Sequence, residues 1–325
     1  MQPQLPRYLR LEHGEHGTTA AEADWWRGNP SRAFGGQLAA HILLAAAEAA
    51  KSGWAVHSLH VHFLAPGGMR RTRYAVSPLR HGRSFALYNV RAIERVPDPA
   101  GAGHSERDIA LGVVSFHSAD KELDARTGGP AAALHAAPMP RVLPAPEGSA
   151  TRSGAAPASC AEGWRGVPAD DSGLRWWMSW GGAYGEEGQQ LPRSSATMAG
   201  GAAEVAPRER AGSRAPAMVH AAALAFLSDL QFLMSAGIAP ARGRQITPTM
   251  TTSLDHVIYL HEWPIDASRW LLFEYDSPHA ATGRATVRAR VWDEGGRLVA
   301  SAVQEGVYRV TVAAEVGGKL PAARL

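Results

Sequence analysis

His57-Ser58-Leu59-His60-Val61-His62-Phe63-Leu64 reads as a β-strand, and Thr252-Ser253-Leu254-Asp255-His256-Val257-Ile258-Tyr259-Leu260 reads as nearly the same strand again. An Ala/Leu-rich helical pattern precedes each: Gln37 to Lys51 in the first case, flanked by Gly35-Gly36 and Gly53, and Ala217 to Gly237 in the second. Outward from the first anchor lie strand-like runs at 56–64, 72–79, 84–95 and 109–117; outward from the second they lie at 251–261, 269–276, 284–292 and 297–310. Gly82-Arg83-Ser84 opens the third strand of one half, and Gly283-Arg284-Ala285 opens that of the other. One helix followed by four strands, twice in the same order, predicts an internal duplication of about 120–150 residues.

A helix followed by an antiparallel sheet has to bury its apolar side against one sheet face, and strands do not alternate with helices as a doubly wound or barrel α/β fold requires. The expectation is an α+β fold in which each sheet curves around its helix. That arrangement is a hotdog, and two in tandem make a double hotdog with the sheets joined edge to edge, which also covers strand edges. The division follows: an N-terminal unit over 1–120, an Ala/Pro/Gly/Ser-rich linker without sustained order over 121–162, a C-terminal unit over 163–312 and a tail over 313–325. Finer expectations are a short strand over Tyr8 to Glu12, a strand starting at Trp176-Trp177, and a second long loop from Pro192 to Arg214.

Composition removes several classes. The 325 residues carry 33 Lys+Arg against 30 Asp+Glu, a net charge of only +3 with no basic block, so nucleic acid is a poor partner. With 45% apolar and 19% charged residues the chain has material for a core. Cys160 is the one cysteine, which excludes a disulfide framework and a cysteine-built zinc site; its surroundings give no nucleophile pattern. The apolar run Leu38 to Ala50 contains His41 and Glu48 and is too short to span a bilayer, and Met1 to Pro6 lacks the features of a secretory signal. No G-x-S-x-G, Walker or H-E-x-x-H motif occurs.

Asp229 is the most informative single residue. A helix through it places Ala225, Phe226, Phe232 and Leu233 around it, so its carboxylate either faces a cleft or has a raised pKa; otherwise it lies with Ser228 on a polar face. Thr251-Thr252-Ser253 offers hydroxyls that are also ordinary strand formers. Asp255 and His256, adjacent on a strand, face opposite ways and make no dyad. Gln304 shares a face with Ala300, Ala302 and Gly306, whose small side chains leave room beside its amide, unless that face is simply solvated. His60 and His62 share a face and His57 takes the other, with no third ligand at metal spacing; no metal is expected. Gly35-Gly36 before a helix exposes backbone N–H groups at a positive dipole end, suited to a carbonyl oxygen or a phosphate. Arg80, Arg83, Arg284 and Arg288 are candidate phosphate contacts, although most arginines are merely solvated.

Taken in order, Phe34-Gly35-Gly36-Gln37, Val56-His57-Ser58-Leu59-His60, Phe63-Leu64-Ala65-Pro66-Gly67, Leu79 to Phe85, Ser228-Asp229-Leu230, Ser253-Leu254-Asp255-His256, Trp270 to Phe273 and Val299 to Gly306 resemble the acyl-CoA thioesterase II family, of double-hotdog type. The sequence departs from that pattern around 187–214, and has His81-Gly82 where the family has Asp-Gly. The resemblance implies a catalytic Asp, Ser/Thr and Gln holding a water, which fall by motif on Asp229, Ser253 and Gln304, with Thr252 as the fallback hydroxyl. It implies Gly35, Gly36, Gln37, His60, Arg83 and Arg284 as substrate-binding or oxyanion candidates. Gln37, Ser58 and Ser115 would be the first half's counterparts of the trio, without a carboxylate, so one active site per chain is expected.

The implied reaction is hydrolysis of fatty acyl-CoA to acid and CoA, part of lipid metabolism, with no cofactor and acyl-CoA as the small-molecule partner; a homo-oligomer is left open. A hotdog hydratase or dehydratase and a non-catalytic acyl-CoA binder are the competing readings. Ala323-Arg324-Leu325 resembles the S-K-L peroxisomal address, which implies an import receptor and the peroxisomal matrix, or the cytoplasm if the triplet is not read.

Overall fold

The alternation of apolar residues along the predicted strands is satisfied by one continuous antiparallel sheet. In a computed structural model the described residues are 7–14, 17–26, 32–98, 101, 103–118, 137–140, 145, 164–180, 216–238 and 246–312. The first half contains a 3-10 turn at Arg7–Leu9, β1 (Glu12–Gly14), β2 (Gly17–Ala20), a 3-10 turn at Glu22–Asp24, helix α1 (Gly35–Ala49), β3 (Trp54–Phe63), β4 (Thr72–His81), β5 (Phe85–Pro97) and β6 (His104–Ser118). The second contains β7 (Arg165–Pro168), β8 (Arg175–Ser179), helix α2 (Pro216–Ser228), a 3-10 turn at Leu233–Gly237, β9 (Ile246–Ser253), β10 (Asp255–Leu260), β11 (Leu271–Ala281), β12 (Arg284–Asp293) and β13 (Leu298–Val312).

The strand order is β1-β2-β4-β5-β6-β3-β10-β13-β12-β11-β8-β7, with β9 pairing with β13. The order is palindromic: β3, β4, β5 and β6 occupy the places that β10, β11, β12 and β13 take on the other side of the centre. The fold is therefore the predicted α+β double hotdog. The two sheets meet through β3 and β10, antiparallel, with His60 opposite Val257 and Ser58 opposite Tyr259. That pairing removes the two edges that separate sheets would leave bare.

Both helices lie in the core. Every residue from Gly36 to Ala46 of α1 is buried, as are Met218 to Ser228 of α2. A helix apolar around most of its circumference has to be enclosed. Here α1 and α2 pack on one another, and one apolar cluster runs from Tyr8 to Tyr308 through both halves. The segment Ala217–Gly237 has the length and hydropathy of a membrane span, yet 78% of its most apolar window is buried inside the fold. A satellite cluster of Val167, Trp177, Trp270, Leu272 and Trp292 collects Met139 and Ala145, and Trp292 Nε1 donates to Ala137 O at 3.3 Å.

Several expectations need correction. The helix predicted over 217–237 stops at Ser228. Gln231 adopts φ 59°, a left-handed conformation in which an α-helix does not continue, before the 3-10 turn resumes. The strand predicted over 251–261 is two strands broken at Leu254, whose N–H goes to Glu305 O and whose carbonyl accepts from Phe63 N. Tyr8 to Glu12 is mostly 3-10 turn and coil, with β1 beginning only at Glu12. A bulge between Val56 and Ser58 disturbs the alternation that set His57 apart from His60; its ring lies 5.7 Å from those of Phe85 and His117. Cys160, the loop 192–214, the tail 313–325 and most of the linker 121–162 lie outside the described residues.

Candidate active site

A cleft of about 620 Å³ opens where the halves meet. The end of α2 supplies Asp229, the start of α1 supplies Gly35, and the end of β9 supplies Ser253; Phe63, Phe232 and Leu233 give it an apolar wall. The broken helix is what brings Asp229 there. Past Ser228 the chain turns, with Leu230 N–H on Leu227 O, and Tyr275 OH donates to Leu230 O at 3.0 Å, pinning the turn.

The Asp229 side chain is only 7% exposed. Its Oδ2 accepts the backbone N–H of Gly36 at 2.7 Å, and its Oδ1 accepts Nε2 of Gln304 at 2.6 Å. The first contact crosses between the halves and uses the positive end of α1. Desolvation raises the carboxyl from 3.8 to about 6, against the opposing effect of the Gln304 and Gly36 hydrogen bonds. Two glycines make this approach fit. A Cβ on Gly35 would lie 2.9 Å from Asp229 Oδ2, and one on Gly36 would lie 2.6 Å from Phe226 O and 2.9 Å from Asp229 Cβ.

Gln304 is fully buried on β13, facing inward with Ala300, Ala302 and Gly306 as the alternation predicts. Its Oε1 has no hydrogen-bond partner among the described residues. Ser253 pairs in register with Gly306, two residues along from Gln304, and its side chain is partly exposed in the cleft. Thr252 also borders the cleft, but its hydroxyl donates to Thr251 O at 2.7 Å and accepts from Arg32 Nη1 at 3.0 Å.

His256 points inward and Asp255 does not, as adjacency on a strand demands. Asp255 Oδ1 accepts the Glu305 N–H at 2.7 Å. The fully buried His256 lies 2.9 Å from Ser228 Oγ through Nε2 and 3.1 Å from Gln304 Nε2 through Nδ1, and burial lowers its pKa to about 3.

Other candidates are elsewhere. The Gly36 N–H already holds Asp229, so it is not an open oxyanion donor. The Gln37 N–H bonds Phe34 O, and its side chain turns into the first half: Oε1 accepts Trp26 N–H, and Nε2 donates to Tyr8 O and Asp24 O. Ser58 and Ser115 pair across β3 and β6, with Ser115 alternating against the buried Val114 and Phe116 and so facing away from the core. The three do not converge.

His60, between buried Leu59 and Val61, faces outward against Tyr259, with ring centroids 5.5 Å apart. Arg83 is exposed at the turn after β4, and Arg284 is exposed 3.6 Å from Glu305; neither lines the cleft. Arg288 pairs with Asp276, Nε to Oδ2 at 3.0 Å, and Arg80 is exposed on β4. The guanidinium that does border the cleft is Arg32, which sequence reasoning missed: it sits in a loop with no motif, and only the folded register brings it to Thr252. Among the described residues no group of His, Cys, Asp and Glu is arranged to hold a metal ion.

Two family models match the chain, one described as the acyl-CoA thioesterase N-terminal domain over residues 22–117 and one as the acyl-CoA thioesterase C-terminal domain over residues 168–308. Acyl-coenzyme A thioesterase 8 of Homo sapiens is 27% identical, with 86% of this chain and 81% of that protein covered. Acyl-CoA thioesterase 2 of Haemophilus influenzae is 24% identical, with 85% and 87% covered. Among solved structures, acyl-CoA thioesterase II TesB2 from Mycobacterium marinum is similar with a TM-score of 0.61 and 25% identity, over 97% of this chain and 98% of that one.

Proposed function

Because this chain belongs to the acyl-CoA thioesterase family, and is therefore a thioester hydrolase, we propose that it cleaves fatty acyl-CoA with a water activated by Asp229 and held by Ser253 and Gln304. The observation that carries this reading is the carboxylate itself: nearly buried, at the wall of a cleft, clamped by Gly36 and Gln304, with its pKa raised to about 6. A base tuned toward neutrality can take a proton from water and still be ionised at pH 7.

In this scheme Asp229 removes one proton as the water oxygen bonds to the thioester carbonyl carbon. The carbonyl electron pair moves to oxygen and forms a tetrahedral oxyanion. When that pair returns, the carbon–sulfur bond breaks and the thiolate takes the proton from the neutral Asp229 carboxyl, giving a free acid and CoA thiol. The buried, unpartnered Oε1 of Gln304 accepts from the water in this scheme, and the Ser253 hydroxyl holds it from the neighbouring strand β9. With Gly36 committed to Asp229, the neighbouring Gly35 backbone is the oxyanion candidate that remains on the cleft. Phe63, Phe232 and Leu233 would line the acyl chain, and Arg32 would meet the CoA phosphates.

The test is thiol release from acetyl- to long-chain acyl-CoA. Asp229→Asn is expected to lose about 10²–10⁴-fold in kcat while still binding substrate. Near-normal turnover in that variant would reject the assignment of the base. Location in peroxisomes is a reading of Ala323-Arg324-Leu325 alone. A fluorescent fusion in a eukaryotic cell should leave peroxisomes when the triplet is deleted, and unchanged targeting rejects the address.

A further inference from the structure

Beside the carboxylate lies a buried polar chain that runs through Gln304 to two residues the scheme above does not use, His256 and Ser228. Ser228, His256 and Gln304 are each 0% exposed. Ser228 Oγ is 3.0 Å from Ala225 O and 2.9 Å from His256 Nε2. His256 Nδ1 is 3.1 Å from Gln304 Nε2, which is 2.6 Å from Asp229 Oδ1.

The direction of this chain is fixed from both ends. A serine hydroxyl has one hydrogen. Here it goes to Ala225 O, so the oxygen accepts from the imidazole and Nε2 carries the ring proton. At the far end an ionised carboxylate can only accept, so Gln304 turns its NH₂ group toward Asp229. The second amide hydrogen then points at His256 Nδ1, which has to be bare. Both ends demand the same neutral tautomer.

The surroundings keep the ring neutral. Phe232 packs edge-on with centroids 5.5 Å apart and burial lowers the ring's pKa to about 3, which outweighs the pull toward the charged form from Asp229 Oδ1, 3.9 Å from Nδ1. Tyr275 spends its hydroxyl on Leu230 O. A consequence appears at the other amide atom. With Nε2 held by two acceptors, Oε1 is turned away from them and left buried without a partner among the described residues. A buried acceptor in that condition is destabilising unless something donates to it.

We propose that His256 and Ser228 are positioning residues that lock the Gln304 amide, keeping Nε2 on Asp229 and presenting Oε1 to the attacking water. The proposal rests on the reading of Asp229 and Gln304 as the water-holding pair. Loss of the lock lets the imidazole change tautomer and the amide flip, which would set Oε1 against the carboxylate.

The first test reads the wild-type ring directly. In the full-length protein with ¹⁵N-labelled histidine, the His256 ring, assigned by its loss in His256→Gln, should show a protonated Nε2 and a bare Nδ1 at pH 7. A protonated Nδ1 or an imidazolium overturns the proposal. The second uses kinetics. Ser228→Ala should lower kcat about tenfold or more with KM changed less than about twofold. It should also move the acid limb of kcat to higher pH, because the Gln304 hydrogen bond that lowers the Asp229 pKa is weakened. Ser228→Thr, which keeps a hydroxyl, should restore most of both. If Asp229→Asn is inactive while Ser228→Ala keeps its kcat and its pH limb, the positioning role alone fails. If Asp229→Asn is active, the reading of the base fails first.

Discussion

Asp229 and His256 sit 3.9 Å apart, and burial shifts them in opposite senses. Asp229 has a folded pKa of about 6 against 3.8 for the free side chain. Its contribution to stability is therefore complete below about pH 3.8 and is lost as pH rises through 6. His256 runs the other way. Its folded pKa of about 3 lies below 6.5, so its contribution is present above pH 6.5 and is lost as pH falls toward 3. Between about pH 4 and 6 the two oppose, and the wild-type stability curve is flattened. Asp229→Asn removes one side of that balance. Urea unfolding should show the variant gaining on wild type by up to about 3 kcal/mol between pH 4 and pH 7, at about 1.4 kcal/mol per pKa unit. Parallel curves for the two proteins would contradict a raised pKa at Asp229. With Asp229 as the proposed base, the same shift predicts that wild-type kcat/KM rises with pH through about 6, since only the ionised carboxylate accepts a proton from water.

At the scale of elements, the site is made by a helix that stops. The apolar pattern runs on through Leu230, Phe232 and Leu233, so nothing in the sequence marks Ser228 as the last helical residue. The break comes from Gln231 in a left-handed conformation, a residue type that gives no such signal. For the same reason the relay through Ser228 and His256 was not legible: its members are 28 and 48 residues apart and meet only after the sheet forms. The strands and the duplication were legible because period-2 alternation is local, and Asp229 was legible because a carboxylate among Ala225, Phe226, Phe232 and Leu233 needs a reason to be there. Where α1 meets that turn, the glycines are required by space. Gly36→Ala places a methyl 2.6 Å from the Phe226 carbonyl oxygen, a backbone atom that cannot rotate away. Overpacking of this kind costs about 1–3 kcal/mol. The expected result is a lower urea midpoint together with a fall in kcat, as the N–H that holds Asp229 Oδ2 is displaced. An unchanged midpoint with unchanged kcat would show that the helices part without consequence.

Across the whole molecule, the two hotdogs are joined at the candidate site as well as through their sheets. The proposed base, amide and hydroxyl come from the second half, whereas the N–H on the Asp229 carboxylate comes from Gly36 in the first. In the first half Gln37, which the resemblance sets opposite Asp229, carries no charge and is held by three hydrogen bonds to Trp26, Tyr8 and Asp24. The β3–β10 pairing adds a second dependence, because either half alone exposes a central strand edge with its backbone groups unpaired. A chain cut within the linker 121–162 should therefore give two fragments with no thioesterase activity apart. Fragment 121–325 keeps Asp229, Ser253 and Gln304 but loses the clamp and half of the core around α2. Co-expression should restore activity, because the apolar contact between α1 and α2 and the strand pairing together re-form the seam without covalent help. Hydrolysis by fragment 121–325 alone at a wild-type rate would show that the first half is dispensable for holding the carboxylate.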